Sequence, residues 1–208
     1  MTDPFQDLVP KARAFLRELA ANNERDWFTA RKARYDAELK APATALLDVM
    51  AGKLTAITDT PTETKLFRPN RDVRFSKDKT PYHTHLHLLW QSGGAQWFFG
   101  VSPDYITCGG GRMGFDKDAL TTWRETVDGP EGAALAAEVD RLVAVGMRLS
   151  EPELKRVPAP YPADHPRSLL LRRKSLTLWR DGDAPPEPLT GWLAETFRQL
   201  WPVQRMLP

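Results

Sequence analysis

The stretch Leu86-His87-Leu88-Leu89-Trp90-Gln91-Ser92-Gly93-Gly94-Ala95-Gln96-Trp97-Phe98-Phe99-Gly100-Val101 decides the fold. Two β-prone runs, Leu86 to Trp90 and Trp97 to Val101, flank Gln91-Ser92-Gly93-Gly94, whose composition predicts a hairpin loop. On the C-terminal side, Ser102-Pro103-Asp104 reads as the next turn and Tyr105 to Cys108 as a further strand. On the N-terminal side, Lys65 to Phe67, and then Val73 with Phe75, are shorter β-prone pieces whose apolar residues are expected to turn inward. An antiparallel meander is the simplest arrangement. Gly109-Gly110-Gly111 follows a predicted strand without the Lys-Ser/Thr ending of a phosphate loop, so a bulge or turn is expected there.

Helical periodicity brackets this centre. Ala12, Phe15, Leu16 and Leu19 place a helix over 10–19, and Asn22 and Asn23 suit the end of one helix and the cap of the next. Glu24 to Leu39 reads as the second helix, and Pro42 is expected to interrupt before a third stripe formed by Ala43, Leu46, Leu47, Met50, Leu54 and Ile57. Trp27 and Phe28 lie on the amphipathic second helix and read as core. Beyond the centre, 116–127, 131–145 and Trp192 to Leu200 read as helices and Lys174 to Trp179 as a strand. Asp164-His165-Pro166 predicts a short helix through Leu171 capped by Asp164. The proline-dense Ala184 to Pro188 reads as a surface loop. Helices, then strands, then helices predict a single α+β domain over 1–208, with a helical part at 1–57, a strand-rich centre at 58–112 and a mixed, mainly helical remainder at 113–208.

The chain has 208 residues, enough for one substantial core, and a formal net charge of +2. Such near-neutrality excludes a globally basic nucleic-acid binder, and 41% hydrophobic residues exclude a disordered chain. Met1-Thr2-Asp3-Pro4 lacks the order of an export signal and no window is apolar enough to span a bilayer, so a cytoplasmic protein is expected. The lone Cys108 excludes an intrachain disulfide and reads as a small buried residue. The charge is nonetheless segregated. Residues 65–79 (Lys65, Arg68, Arg71, Arg74, Lys77 and Lys79) and 155–174 (Lys155, Arg156, Arg167, Arg172, Arg173 and Lys174) hold 12 of the 29 basic residues and 3 of the 27 acidic ones. Arginine's planar fork suits bidentate contact with phosphate or carboxylate. If the two segments meet, Arg68, Arg71, Arg74, Lys77 and Lys79 would grip an anion and Lys155, Arg156, Arg172, Arg173 and Lys174 would complete the cleft. If they do not meet, they are solvated faces.

Three groups could add chemistry. His83, His85 and His87 alternate, so they share one face of a strand. A zinc site would need another ligand such as Asp72 or Asp164, and a hydrogen-bonded strand face is the reading preferred, with no metal and no cofactor expected. Asp72 could act as a general base or neutralise Arg68 or Arg74, while Asp78 suits a turn. Asp164 with His165 could form an acid and base pair, with Tyr161 as a nearby donor, although capping explains the same letters.

The pieces Asn22-Asn23-Glu24-Arg25-Asp26-Trp27-Phe28, Arg71-Asp72-Val73-Arg74-Phe75-Ser76-Lys77-Asp78-Lys79-Thr80-Pro81-Tyr82, Leu154-Lys155-Arg156, Asp164-His165-Pro166 and Leu171-Arg172-Arg173-Lys174 run through nearly the whole chain. In them the chain resembles an uncharacterised bacterial and fungal family, domain of unknown function 2461. The resemblance implies one α+β domain and no established reaction. Where that pattern has Tyr-Lys-Thr-His, this chain has Tyr82-His83-Thr84-His85, an imidazole in place of an amine. The expected function is binding of a small phosphorylated or carboxylated molecule in an Arg/Lys-lined cleft, with Asp72, His85 or His165 as candidate catalytic groups for a hydrolase or transferase step. The alternatives are a nucleic-acid-binding module, in which basic segments track phosphates and tryptophans stack bases, and a structural domain without ligand.

Overall fold

The computed structural model describes residues 3–182 and 188–208, so most of the proline-dense segment expected to form a surface loop lies outside the described residues. Six strands form one antiparallel sheet in the order β1-β2-β3-β4-β6-β5. They are β1 Glu63–Leu66, β2 Leu86–Ser92, β3 Ala95–Val101, β4 Ile106–Arg112, β5 Arg148–Leu149 and β6 Leu176–Gly182. The first four make the expected meander. The chain then leaves for two helices, returns as the two-residue β5 at the sheet edge, and enters β6 between β5 and β4.

The decisive hairpin forms as its letters predict. Gly93 and Gly94, with φ of 54° and 85°, make a two-residue loop in a conformation most side chains resist, and Ser92 faces Ala95. The glycine triplet behaves differently from the expectation of a turn. Gly109, Gly110 and Gly111 lie inside β4, where a Cβ on Gly109 would come within 2.2 Å of the Leu178 carbonyl oxygen. Absence of side chains there lets β4 and its neighbours approach closely.

One sheet face carries the core. Leu86, Leu88, Trp90, Trp97, Phe99, Val101, Ile106, Cys108 and Leu178 are buried against helices α1 (Leu8–Ala21), α4 (Ala41–Thr58) and α8 (Leu189–Gln204). The indole N–H of Trp90 donates to the Leu47 carbonyl at 2.9 Å, and that of Trp97 to the Phe197 carbonyl at 3.4 Å, so both tryptophans are buried with their polar atoms satisfied. Burial pushes the Cys108 thiol up to about 12, leaving a neutral core residue. Leu135 and Trp123 bring α5 (Lys117–Asp128) and α6 (Gly132–Ala144) into the same contiguous core, making one α+β domain. Asp116 caps α5 through the N–H groups of Asp118 and Ala119. Among the described residues no helix is long and apolar enough to cross a membrane.

Pro42 does not interrupt. Short helices α2 (Arg25–Ala30) and α3 (Lys32–Tyr35) lead into a π-helical turn over Asp36–Lys40 that passes straight into α4. The N–H of Ala41 reaches back five residues to the Asp36 carbonyl, and this widened turn carries the chain past a proline that has no N–H to offer. The Asn pair also departs from its expected use. Asn22 ends α1 without a left-handed φ, and the cap of α2 is Glu24.

Candidate functional site

Residues 67–85 join β1 to β2 as a long excursion, irregular except for one bridge between Asn70 and Tyr82. Its base is fastened by an amide that sequence reasoning assigned to a cap. Asn23 Nδ2 donates to the Tyr82 carbonyl at 2.9 Å and its Oδ1 accepts from the Tyr82 N–H at 3.0 Å. The Tyr82 ring stacks on Phe28 at 4.2 Å between centroids, with both side chains buried. The excursion's tip differs from the extended, inward-facing strand predicted for Val73 and Phe75. Phe75 is 96% exposed, because no apolar layer lies over this segment.

Three of the six cations of the first segment are used within it. Arg74 forks onto Asp72 through Nε at 3.0 Å and Nη2 at 2.7 Å. Arg71 binds Asp78 and Thr80, and Lys79 donates to the Val73 carbonyl at 3.0 Å. Hydrogen bonds from the Thr80 backbone, then from Arg71, draw Asp78 down to about 2, as suits a turn carboxylate. Among the described residues, the side chains of Lys65, Arg68 and Lys77 make no hydrogen bond or ion pair; the Lys65 ammonium lies 4.7 Å from the Phe67 ring centroid. Lys65 and Arg68 line a concavity of about 560 Å³ together with Asn70, Asp72, His83 and His85. Its electrostatic character is positive. The cations Arg71 and Arg68, after burial, hold His83 below its ordinary value, and Arg68 adds to the hydrogen bonds from Arg74 that lower Asp72.

The three histidines form a stack. The His83 and His85 centroids are 4.7 Å apart and those of His85 and His87 3.6 Å apart with the planes at 13°. Burial, and then the neighbouring imidazoles, lower His85 to about 4 and His87 to about 3, so both are neutral near pH 7. Rings stacked face to face do not aim their nitrogens at a common point. Among the described residues no group of three or more His, Cys, Asp and Glu is placed to hold a metal ion. His87 Nε2 instead pairs with the Tyr105 hydroxyl at 2.6 Å.

The second basic segment does not join this concavity. The first leaves β1 at Leu66, at the end of the sheet where Leu86 pairs with Val101 and Ile106 with Gly182. The second enters β6 at Leu176, which pairs with Arg112 at the other end. β1 and β6 are also four strand spacings apart, about 19 Å at ~4.8 Å each. The segments therefore occupy diagonal corners, and the expected shared cleft does not form.

Three of the second segment's four arginines serve the fold. Arg167 donates to the Val127 and Asp128 carbonyls at the end of α5, at 2.5 and 2.8 Å. Arg172 donates to the Lys155 carbonyl at 3.3 Å, and Arg173, 3% exposed, to the Ser150 carbonyl. Lys155, Arg156 and Lys174 are exposed beside them. His165 is likewise structural. It is 8% exposed, its Nδ1 accepts from the Arg167 N–H at 3.0 Å, and its Nε2 faces Asp128 at 3.1 Å. Its carboxylate partner is thus Asp128 and not the neighbouring Asp164. The short helix α7 (Ser168–Leu171) has no side-chain cap at its start, so Asp164 does not cap it.

Of the candidate catalytic residues, Asp72 and His85 reach the concavity and His165 does not. Phe67 and Asn70 line it without having been singled out from sequence; they occupy loop positions with no periodic pattern to flag them. The chain matches a family described as a conserved hypothetical protein (DUF2461) over residues 11–205, and it belongs to that family. No curated protein matches it.

Proposed function

We propose that the protein binds a small phosphorylated or carboxylated molecule in the concavity between β1 and the excursion, through Lys65 and Arg68, with Asn70 and the neutral edges of His83 and His85 as hydrogen-bonding partners. The observation that carries this reading is the pair of cations that face one concavity and make no ion pair among the described residues, while Asp72, the carboxylate that also lines it, is forked by Arg74. Like charges gathered in a recess favour a counter-anion, and a guanidinium offers a bidentate one. The reading is binding and not turnover. Asp72 is held as a carboxylate by Arg74, and an imidazole with a pKa of about 4 is a weak proton acceptor at neutral pH.

Titration calorimetry with inorganic phosphate and with malonate tests it. Arg68→Ala is expected to weaken phosphate binding about tenfold, the loss of one charge-assisted contact, with an unchanged melting temperature. Undiminished phosphate affinity in that variant would reject the site.

A further inference from the structure

The sheet face turned away from the helices is aromatic in its middle. The register aligns two rows of side chains across it: Leu89, Phe98, Gly109 and Trp179 in one, His87, Gly100, Thr107 and Asp181 in the other. Both rows contain a glycine where a side chain would intrude. A Cβ on Gly100 would fall 2.9 Å from Phe98 Cε1, 3.1 Å from His87 Cδ2 and 3.3 Å from Tyr105 Cε2. A Cβ on Gly109 would meet Trp179 Cε3 at 2.8 Å. Glycine weakens a strand, and in a strand interior it marks places where something must approach the backbone closely; here that something is a set of rings. Phe98 stands edge-on to His87 at 4.8 Å and to Trp179 at 5.4 Å. The result is a depression of about 400 Å³ with Phe98, Tyr105 and Trp179 as its apolar walls. Its rim is polar. Asp181 accepts from Arg148 at 2.8 and 3.1 Å and from the Thr107 hydroxyl at 2.7 Å.

This depression adjoins the anion concavity, since His87 lines the one, His85 the other, and their rings are stacked. His85 lies 3.6 Å from His87 and His87 4.8 Å from Phe98, so the linings of the two sites are in direct contact. We propose that the depression is a subsite for a planar heteroaromatic ring, so that the ligand is an aromatic molecule bearing an anionic group, of the nucleoside monophosphate class. Aromatic walls supply stacking, and the Thr107 hydroxyl and the Arg148 and Asp181 pair supply contacts at a ring edge that a plain hydrocarbon would not use. The anionic half of this assignment rests on the reading of Lys65 and Arg68 given above; the aromatic half stands on the sheet face alone.

The test is calorimetry with three probes, adenosine 5′-monophosphate, adenosine and inorganic phosphate, on the wild-type protein, Phe98→Leu and Arg68→Ala. Leucine keeps the bulk of residue 98 and removes the aromatic face, and circular dichroism and melting confirm that the variant is folded. The nucleotide is expected to bind more tightly than phosphate. Phe98→Leu should weaken the nucleotide and adenosine by about fivefold or more and leave phosphate unchanged. Arg68→Ala should weaken the nucleotide and phosphate and spare adenosine. Nucleotide binding no tighter than phosphate binding, or indifferent to Phe98→Leu, overturns the aromatic subsite even if the anion site stands. Adenosine binding that depends on Phe98, with no effect of Arg68→Ala on phosphate, supports the subsite and sinks the anion reading alone. A ten-residue oligoadenylate that binds over tenfold tighter per residue than the monomer overturns the assignment to a free small molecule.

Discussion

Residues 65–79 and 155–174 each carry six basic side chains, yet the fold uses them in opposite ways. In the second segment Arg167, Arg172 and Arg173 donate to backbone carbonyls at the end of α5 and in the loop that follows β5. In the first, Arg71 and Arg74 pair with carboxylates a few residues away, while Lys65 and Arg68 face a recess. The lesson is that a local charge excess has two sinks. Helix ends expose carbonyl groups that need donors, and a long arginine is a ready one. Only cations that no carbonyl or carboxylate claims are available to a ligand.

The largest effect that would sharpen this contrast is expected at Arg167. Arg167→Ala removes donors from both the Val127 and Asp128 carbonyls and should destabilise the fold by about 3 kcal/mol in urea denaturation, with unchanged phosphate affinity. Next comes Asn23→Ala, which deletes both hydrogen bonds that hold Tyr82 at the base of the excursion. A loss of about 2 kcal/mol is expected, together with weaker phosphate binding because Arg68 and His83 are positioned by that base. A stability loss without an effect on binding would break the link between anchor and site.

Acid should act on the first region more than the second. His85 and His87 have folded pKa values of about 4 and 3, below the ordinary 6.5, so the unfolded chain binds protons first as pH falls. Their contribution is full above pH 6.5 and declines as the pH drops toward those folded values. Urea midpoints at pH 7.5 and 5 should therefore differ, and the double variant H85Q/H87Q should flatten that difference. The smallest effect is expected for Lys174→Ala, whose exposed side chain makes no described contact: within about 0.5 kcal/mol by denaturation and no change in phosphate affinity. A large effect on binding there would show that the second segment contributes to the site after all.

Much of the scaffold could be read directly from residue pattern. The paired glycines at 93 and 94 specify a tight hairpin through their backbone freedom, and the stripe from Ala43 to Leu54 specifies a buried helix through its spacing. The π-turn before Pro42 was not legible, because it answers a missing N–H with a wider ring that leaves no compositional mark. Asn23 was legible as a polar residue between helices but not as the partner of Tyr82, 59 positions away. Phe98, Tyr105 and Trp179 each read as ordinary strand aromatics, and nothing local indicates that Gly100 and Gly109, on adjacent strands, clear space around them.

Local chemistry thus determined most of the helices and the central strands, that they form one α+β domain, and where the cations are concentrated. Strand order and register, which depend on contacts between residues far apart in the chain, set the two basic segments at diagonal corners of the sheet and the histidine stack beside an aromatic depression. Side-chain partners follow from that placement, since a cation's role depends on which carbonyl, carboxylate or open recess lies within its reach, and reach is a property of three dimensions.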